Sequence, residues 1–245
     1  MQLHSLMIDG QQIGYRQSMG SGPAVLLLPG NSSSGLSYEC QLDGEIGLLH
    51  RLVAIDLPGF GDSQPVVHPD AVLGIQGSAR MVVKAVEALG LEDAVVVGWS
   101  LGGHVALEAL SQLPHCKGML IFGTPPLAFP PDLASAFLPN PAMGAGFNPT
   151  PSEEDVRAYV QAFFAPGTKE IPEFFFDDMR RVDGRARAAV GGSIRPGGYE
   201  DEVEIVRTMH VPLAVLQGEH EQLVSLDYMK GLAMPTLWRG QVQIV

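Results

Sequence analysis

An α/β fold built on a mostly parallel, doubly wound sheet is predicted by three features of the sequence. Short, continuous apolar runs recur along the chain, an amphipathic helical stretch lies between two of them, and glycine- and proline-rich turns follow the runs. A run without polar alternation suits a strand covered on both faces, and strands that alternate with helices form parallel sheets. The 245 residues are 46% hydrophobic, which is enough to fill one sizeable core.

The chain opens with "MQLHSLMIDGQQIGYR", whose polar/apolar alternation around Asp9-Gly10 reads as a β-hairpin. It has no charged start followed by an apolar run, so it does not read as a secretory leader. Ala24–Leu28 in "PAVLLLPG", Leu52–Ile55 in "RLVAIDLPG" and Ala94–Val97 in "DAVVVGWS" are the first three buried strands, and "KGMLIFGTPP" and "VPLAVLQG" add two more. In "GSARMVVKAVEALG", Met81, Val82, Ala85, Val86 and Leu89 repeat at helical spacing, and Gly90 is a C-cap candidate. From about Leu127 to Met209 no such strand occurs. Prolines, aromatics and the helical segment "PSEEDVRAYVQAFF", with Ser152 and Asp155 spaced as a capping pair, occupy that stretch. The expected division is a sheet-bearing core of residues 1–126 and 210–245 with a helical cap, 127–209, inserted before the late strands.

Composition narrows the function. With 15 basic and 27 acidic residues the net charge is −12 and no basic cluster is present, which argues against a nucleic-acid groove or an anionic-membrane patch. Cys40 and Cys116 are far apart and outside CxxC spacing, so they are expected to be buried, reduced thiols of a cytoplasmic protein. The histidines form no HxH or HxxxH cluster, and neither metal nor cofactor is expected. Nothing in the chain speaks to oligomeric state.

Chemistry enters at "VVVGWSLGGHVALE". Gly98-x-Ser100-x-Gly102 follows three valines and precedes a helical pattern. A bare GxSxG usually marks only a glycine-rich turn. Between strand and helix, however, it fits a tight elbow that holds a serine hydroxyl at the top of the sheet, with the helix N-terminus favouring a developing oxyanion. His104 is a tempting base. It falls about one turn into the helix that leaves Ser100, so it reads instead as a histidine packed or bonded at the helix–sheet junction. The loop "LLLPGNSSSG" offers the N–H of Asn31 as an oxyanion donor beside that of Leu101. An acid is expected on the loop after a late strand. "PLAVLQGEHEQLV" holds Glu219 and Glu221, of which Glu221, just before an apolar pair, is preferred.

"LLLPGN", "DLPGFGDS", "GWSLGGH" and "GEHEQLV" stand in the order found in the α/β-hydrolase superfamily. At a finer level, "PGNSSSG", "QLDGEIG", "GWSLGGH", "GTPP" and "VDGRARAAV" resemble the α/β-hydrolase-type N-acyl-homoserine lactone lactonases along nearly the whole chain. That resemblance implies Ser100 as nucleophile, Asn31 and Leu101 as oxyanion donors, Glu221 as the acid and Tyr159 as a residue that reaches the substrate. Tyr159 also reads simply as an amphipathic residue of the cap. Trp99, Phe137 and Phe163 are candidate substrate contacts. Phe129, Phe147, Phe164, Phe174, Phe175, Phe176 and Met143 are further candidates for an acyl-chain tunnel or for cap core.

Two departures stand against the family pattern. Pro29 replaces a histidine usual before the Gly-Asn pair, which leaves the backbone donors in place. The family's general base is a histidine after the last strand, and "GQVQIV" begins such a strand; the base is therefore expected beyond Val245, in a sequence read as truncated. The expected function is metal-independent opening of N-acyl-homoserine lactones, which is quorum quenching, with a small acyl lactone or ester as substrate and neither nucleic acid nor membrane as partner. An esterase or carbon–carbon bond hydrolase of the same fold remains open, as do a non-catalytic ligand-binding module, should the chain natively lack the histidine, and a plain structural domain.

Overall fold

A computed structural model describes residues 1–245. Its centre is one eight-stranded sheet in the order β1-β2-β4-β3-β5-β6-β7-β8. The strands are β1 (Gln2–Ile8), β2 (Gln11–Gln17), β3 (Gly22–Leu28), β4 (His50–Ile55), β5 (Val95–Trp99), β6 (Gly118–Phe122), β7 (Leu213–Gln217) and β8 (Gln243–Ile244). The hairpin β1/β2 and the β2/β4 pair are antiparallel, and every later pairing is parallel. Asp9 (φ 51°) and Gly10 (φ 81°) both take left-handed backbone at the hairpin turn, the reason for an Asp-Gly pair there.

The apolar runs pack where their lack of alternation requires. Leu26, Leu28, Val53, Ile55, Val96, Ile121 and Val215 join the main core, while Leu27, Leu52 and Ala54 face a smaller cluster on the opposite side with Tyr38 and Leu42. The helix Gly74–Leu89 begins a few residues before the sequence pattern shows it and ends at Gly90 in the left-handed region (φ 61°). β5 lies one residue further along the chain than its apolar run, because it continues to Trp99.

Chain order and sheet order fix where a ligand can sit. From β3 the chain moves outward to β4, then crosses back over β3 to β5, so the winding reverses between β3 and β5. The helices that leave two such strands diverge and open a crevice at their carboxyl ends. Those ends are Leu28-Pro29-Gly30-Asn31 and Trp99-Ser100.

Between β6 and β7 the chain is helix and loop. The longer helices there are Glu153–Gln161, Glu173–Arg181, Gly184–Gly192 and Glu202–Thr208. Ser152 and Asp155 form the capping box their spacing predicts. One aromatic cluster of this inserted segment, around Tyr159, Val160, Phe175 and Met179, packs against Trp99.

One expectation fails. Cys116 is buried, with Sγ 3.3 Å from the Gly118 carbonyl oxygen, but Cys40 is exposed. Cys40 lies in the short helix Glu39–Asp43, whose one buried residue is Leu42, and five residues are too few to show a helical period in the sequence. No helix is long and apolar enough to cross a membrane.

Candidate active site

The elbow after β5 is built by close backbone approach. A Cβ on Gly98 would lie 2.5 Å from Gly103 Cα, and one on Gly102 would lie 2.1 Å from the Leu28 carbonyl oxygen. Both glycines therefore let the helix Leu101–Ala109 sit directly against the strands. Ser100 between them has φ 50° and ψ −118°, a backbone that non-glycine residues hold only when neighbours enforce it. The enforcement is visible: Ser100 N–H donates to Phe122 O at 2.9 Å, and Ser100 O accepts from Thr124 Oγ1 at 2.9 Å and from Gly103 N–H at 2.9 Å. Thr124, in the loop after β6, is a supporting residue the sequence reading missed.

Ser100 opens into a cavity of about 230 Å³ lined mainly by apolar side chains. The predicted Asn31, Trp99, Leu101, Phe137, Tyr159, Phe163 and Glu221 line the same cavity. Met143 and Phe147 also line it, together with Ile75, Val190 and Ile194, which sequence reading did not single out. The other tunnel candidates lie elsewhere. Phe164 and Phe175 line an adjoining groove of about 560 Å³, shared with Trp99 and Glu221. Phe174 stacks on Phe175, Phe176 lies beneath Arg180, and Phe129 packs edge-on against Tyr199. A run of three phenylalanines on one short helix cannot aim every ring at a single cavity, since neighbours along a helix diverge by about 100°.

Two residues that line the cavity have backbone N–H groups without partners in the chain. Leu101 is the first residue of its helix, where an N–H has no intrahelical acceptor, and the N–H of Asn31 is likewise unengaged. The Asn31 side chain is held: Nδ2 donates to Gly146 O of the inserted segment at 2.7 Å, and Oδ1 accepts from Ser32 Oγ at 3.2 Å. Tyr159 is buried beside it. Burial pushes its hydroxyl pKa well above the usual tyrosine range, opposed by the charge of Arg187 and by the Asn31 side chain, so the phenol stays protonated and can donate. The Tyr159 and Trp99 rings sandwich Phe163 edge-on, at 4.8 Å and 5.2 Å between centroids.

Glu221 stands on the loop after β7. Its Oε1 accepts from the N–H groups of Leu223 at 2.8 Å and Val224 at 3.3 Å, and Oε2 makes no hydrogen bond in the chain. The carboxylate is thus fixed with one oxygen free at the cavity edge. Glu219 and His220 line a different, smaller pocket. His104 is the one histidine that lines the cavity, and its Nδ1 is 2.8 Å from Glu202 Oε2 and 2.9 Å from Oε1. That ties it to the inserted segment rather than to the helix–sheet junction expected from the sequence, and it lines the cavity expected to lie beyond its reach. No group of three or more His, Cys, Asp or Glu side chains is placed to hold a metal ion.

A serine on a strained strand-to-helix turn, two N–H groups without partners and a carboxylate after a late strand are thus brought together at the carboxyl ends of an α/β sheet. The sequence profile of the alpha/beta hydrolase family matches residues 25–243, and the chain belongs to that family. It is an α/β hydrolase.

Within the family the chain is similar to the N-acyl homoserine lactonase AidH. A variant of that enzyme in complex with N-hexanoyl homoserine lactone superposes with a TM-score of 0.94 at 33% identity, covering 100% of this chain and 89% of the other. AidH with N-butanoyl homoserine gives 0.94 at 34%, covering 100% and 88%. Among curated relatives, the 2-hydroxy-6-oxononadienedioate/2-hydroxy-6-oxononatrienedioate hydrolase of Pseudomonas sp is 26% identical over 89% of this chain and 77% of its own length. The 2-hydroxy-6-oxo-6-phenylhexa-2,4-dienoate hydrolase of Comamonas testosteroni is 34% identical over 66% of this chain and 56% of its own.

Proposed function

We propose that this α/β hydrolase opens the lactone ring of N-acyl-homoserine lactones through an acyl-enzyme on Ser100. The observation that carries the reading is the convergence of Ser100, the free N–H groups of Asn31 and Leu101, Tyr159 and Glu221 on one mainly apolar cavity. Similarity to a lactonase over the whole chain supports it. Residues 127–209 act in this reading as a cap, supplying Phe137, Met143, Phe147, Tyr159 and Phe163 to the acyl-chain side of the cavity.

The chemistry follows from the placement. Ser100 Oγ attacks the ring carbonyl carbon, and the carbonyl oxygen takes up negative charge between the N–H groups of Asn31 and Leu101. A pair of such preorganised donors is worth several kcal/mol in the transition state. The ring C–O bond then breaks and the ring oxygen takes a proton, leaving a serine ester of N-acyl-homoserine. Water attacks that ester and releases N-acyl-homoserine with Ser100 restored. The Tyr159 hydroxyl donates a hydrogen bond to the substrate.

Both steps need a base to take a proton from the attacking oxygen. His104 is set aside for its place about one turn into the helix that leaves Ser100; its Nδ1 bond to Glu202 leaves Nε2 free and is no ground for excluding it. The role belongs to an imidazole hydrogen-bonded to the free Oε2 of Glu221, which orients it and stabilises its protonated form.

The names of the sequence relatives favour a second reading, carbon–carbon bond hydrolysis at the same serine. Turnover of N-hexanoyl homoserine lactone, p-nitrophenyl hexanoate and a 2-hydroxy-6-oxo dienoate distinguishes the readings. Each is measured in plain buffer and in buffer with added imidazole. The lactone is expected to give the highest kcat/KM in whichever buffer supports turnover. A preference for the ester or the dienoate would overturn the lactonase reading.

A further inference from the structure

The segment "VDGRARAAV" resembles the lactonase family in sequence, yet only Val190 of its residues lines the cavity described so far. Its local roles are partly structural. Asp183 caps the helix Gly184–Gly192 and pairs with Arg185, and a Cβ on Gly184 would meet Pro149 O at 2.5 Å. Arg187 is different. It is 1% exposed, the largest fully buried side chain in the protein, and it forms no ion pair. Its Nε donates to Ser32 Oγ at 3.1 Å and its Nη2 to Met179 O.

A buried guanidinium without a carboxylate is expensive, and burial draws its pKa down from the usual arginine value. What it faces gives a reason for keeping it. Ser32 is the second central residue of a turn closed by Ser33 N–H to Gly30 O at 3.2 Å, and Asn31 is the first. Ser32 itself is left-handed, with φ 61°, a backbone that needs outside support. Because Arg187 donates to the Ser32 oxygen, the single hydroxyl proton is free to point at Asn31 Oδ1, 3.2 Å away. That acceptor contact orients the Asn31 amide so that Nδ2 meets Gly146 O at 2.7 Å. Both central residues of the turn are therefore tied to the inserted segment, one by Gly146 and the other by Arg187. The peptide between Gly30 and Asn31, which carries the N–H assigned to the oxyanion, cannot rotate without breaking this chain of bonds.

We propose that Arg187 is a positioning residue for the oxyanion loop: through Ser32 it holds the Asn31 peptide in the orientation that binds negative charge. Docking of the inserted segment and readiness of the oxyanion hole are then a single event. The inference rests on the reading of Ser100, Asn31 and Leu101 as an acyl-transfer site, though not on the identity of the lactone.

The test compares a ligand that loads the hole with one that does not. An alkyl trifluoromethyl ketone adds Ser100 Oγ to its carbonyl carbon; the serine proton passes to solvent or base, and an anionic oxygen remains in the hole. Its affinity is read by ¹⁹F NMR. Affinity for intact N-hexanoyl homoserine lactone is read by calorimetry in a Ser100→Gly background. Arg187→Met is expected to weaken the ketone adduct by roughly tenfold or more, since misaligning one oxyanion donor is a loss of this order, while lactone affinity changes less than about twofold. Arg187→Lys is expected to recover part of the loss. Ser32→Gly, which accepts the left-handed backbone but lacks the hydroxyl, reproduces the loss independently should the methionine variant fail to fold. Equal weakening of both ligands, or unchanged adduct affinity in Arg187→Met and Ser32→Gly, would overturn the positioning role alone. A wild-type protein that forms no adduct even with imidazole in the buffer to take the serine proton overturns the acyl-transfer site, and the positioning role with it.

Discussion

Glu202 and His104 join the two ends of the inserted segment to the helix that leaves Ser100. Glu202 is fully buried; its Oε2 lies 2.8 Å from His104 Nδ1 and accepts the Leu127 N–H at 2.8 Å, while Glu202 N–H donates back to Leu127 O at 2.9 Å. The segment thus leaves and re-enters the core through one reciprocal pair, and His104 anchors that pair. Glu202→Ala removes the acceptor for a buried N–H and the partner of a buried histidine. A loss of about 1–3 kcal/mol is expected from the unsatisfied buried group, read as a lower midpoint in denaturant.

His104→Gln keeps a donor for Glu202 but cannot serve as an imidazole base. Fluorophosphonate labelling of Ser100, measured with imidazole in the buffer, is expected to stay within about twofold of wild type. A loss of about a hundredfold or more would make His104 the base.

The elbow depends on the absence of a side chain at Gly102. Gly102→Ala sets a methyl 2.1 Å from a backbone oxygen that belongs to β3 and cannot step aside. The expected cost is about 3 kcal/mol, the upper end for overpacking, or a fall in Tm of roughly 6–12 °C in a chain of this size. Gly144→Ala, which meets nothing within 4 Å, is the control and is expected to leave Tm nearly unchanged.

Acid should loosen the helix that carries Arg187. The Asp183 carboxyl is held below its ordinary value of 3.8, first by its hydrogen bond with Arg185 and then by the Arg185 backbone N–H. A depressed folded-state pKa contributes stability that is present above the unfolded value and lost as pH falls through the folded one. The stability gap between wild type and Asp183→Asn is therefore expected to be constant near neutrality and to close below about pH 4, as followed by thermal unfolding across a pH series.

Much of this arrangement was legible in the sequence because it is local. Strand runs, the capping box at Ser152 and the glycines around Ser100 each act within a few residues, and the order of motifs along the chain pointed to Asn31 and Glu221, which line one cavity with Ser100. What escaped notice depends on distant pairing. Arg187 meets Ser32 across 155 positions, and Glu202 meets His104 across 98. No spacing announces such a contact; a buried arginine reads in sequence like a solvated one. The helix Glu173–Arg181 packs its phenylalanines against one cluster of the inserted segment, but at nine residues its stripe is short and reads in sequence as an aromatic run.

An acyl-enzyme at Ser100 is the central step of the proposed reaction, and mass spectrometry of that residue tests it most directly. The protein is mixed with N-hexanoyl homoserine lactone in buffer containing imidazole, quenched in acid, digested and analysed as peptides. Because ring opening keeps the leaving oxygen on the acyl group, the peptide containing Ser100 is expected to gain the whole mass of the lactone, and Ser100→Gly is expected to gain none. Turnover of the lactone with no adduct on Ser100, and with the Ser100→Gly variant equally active, would contradict the account.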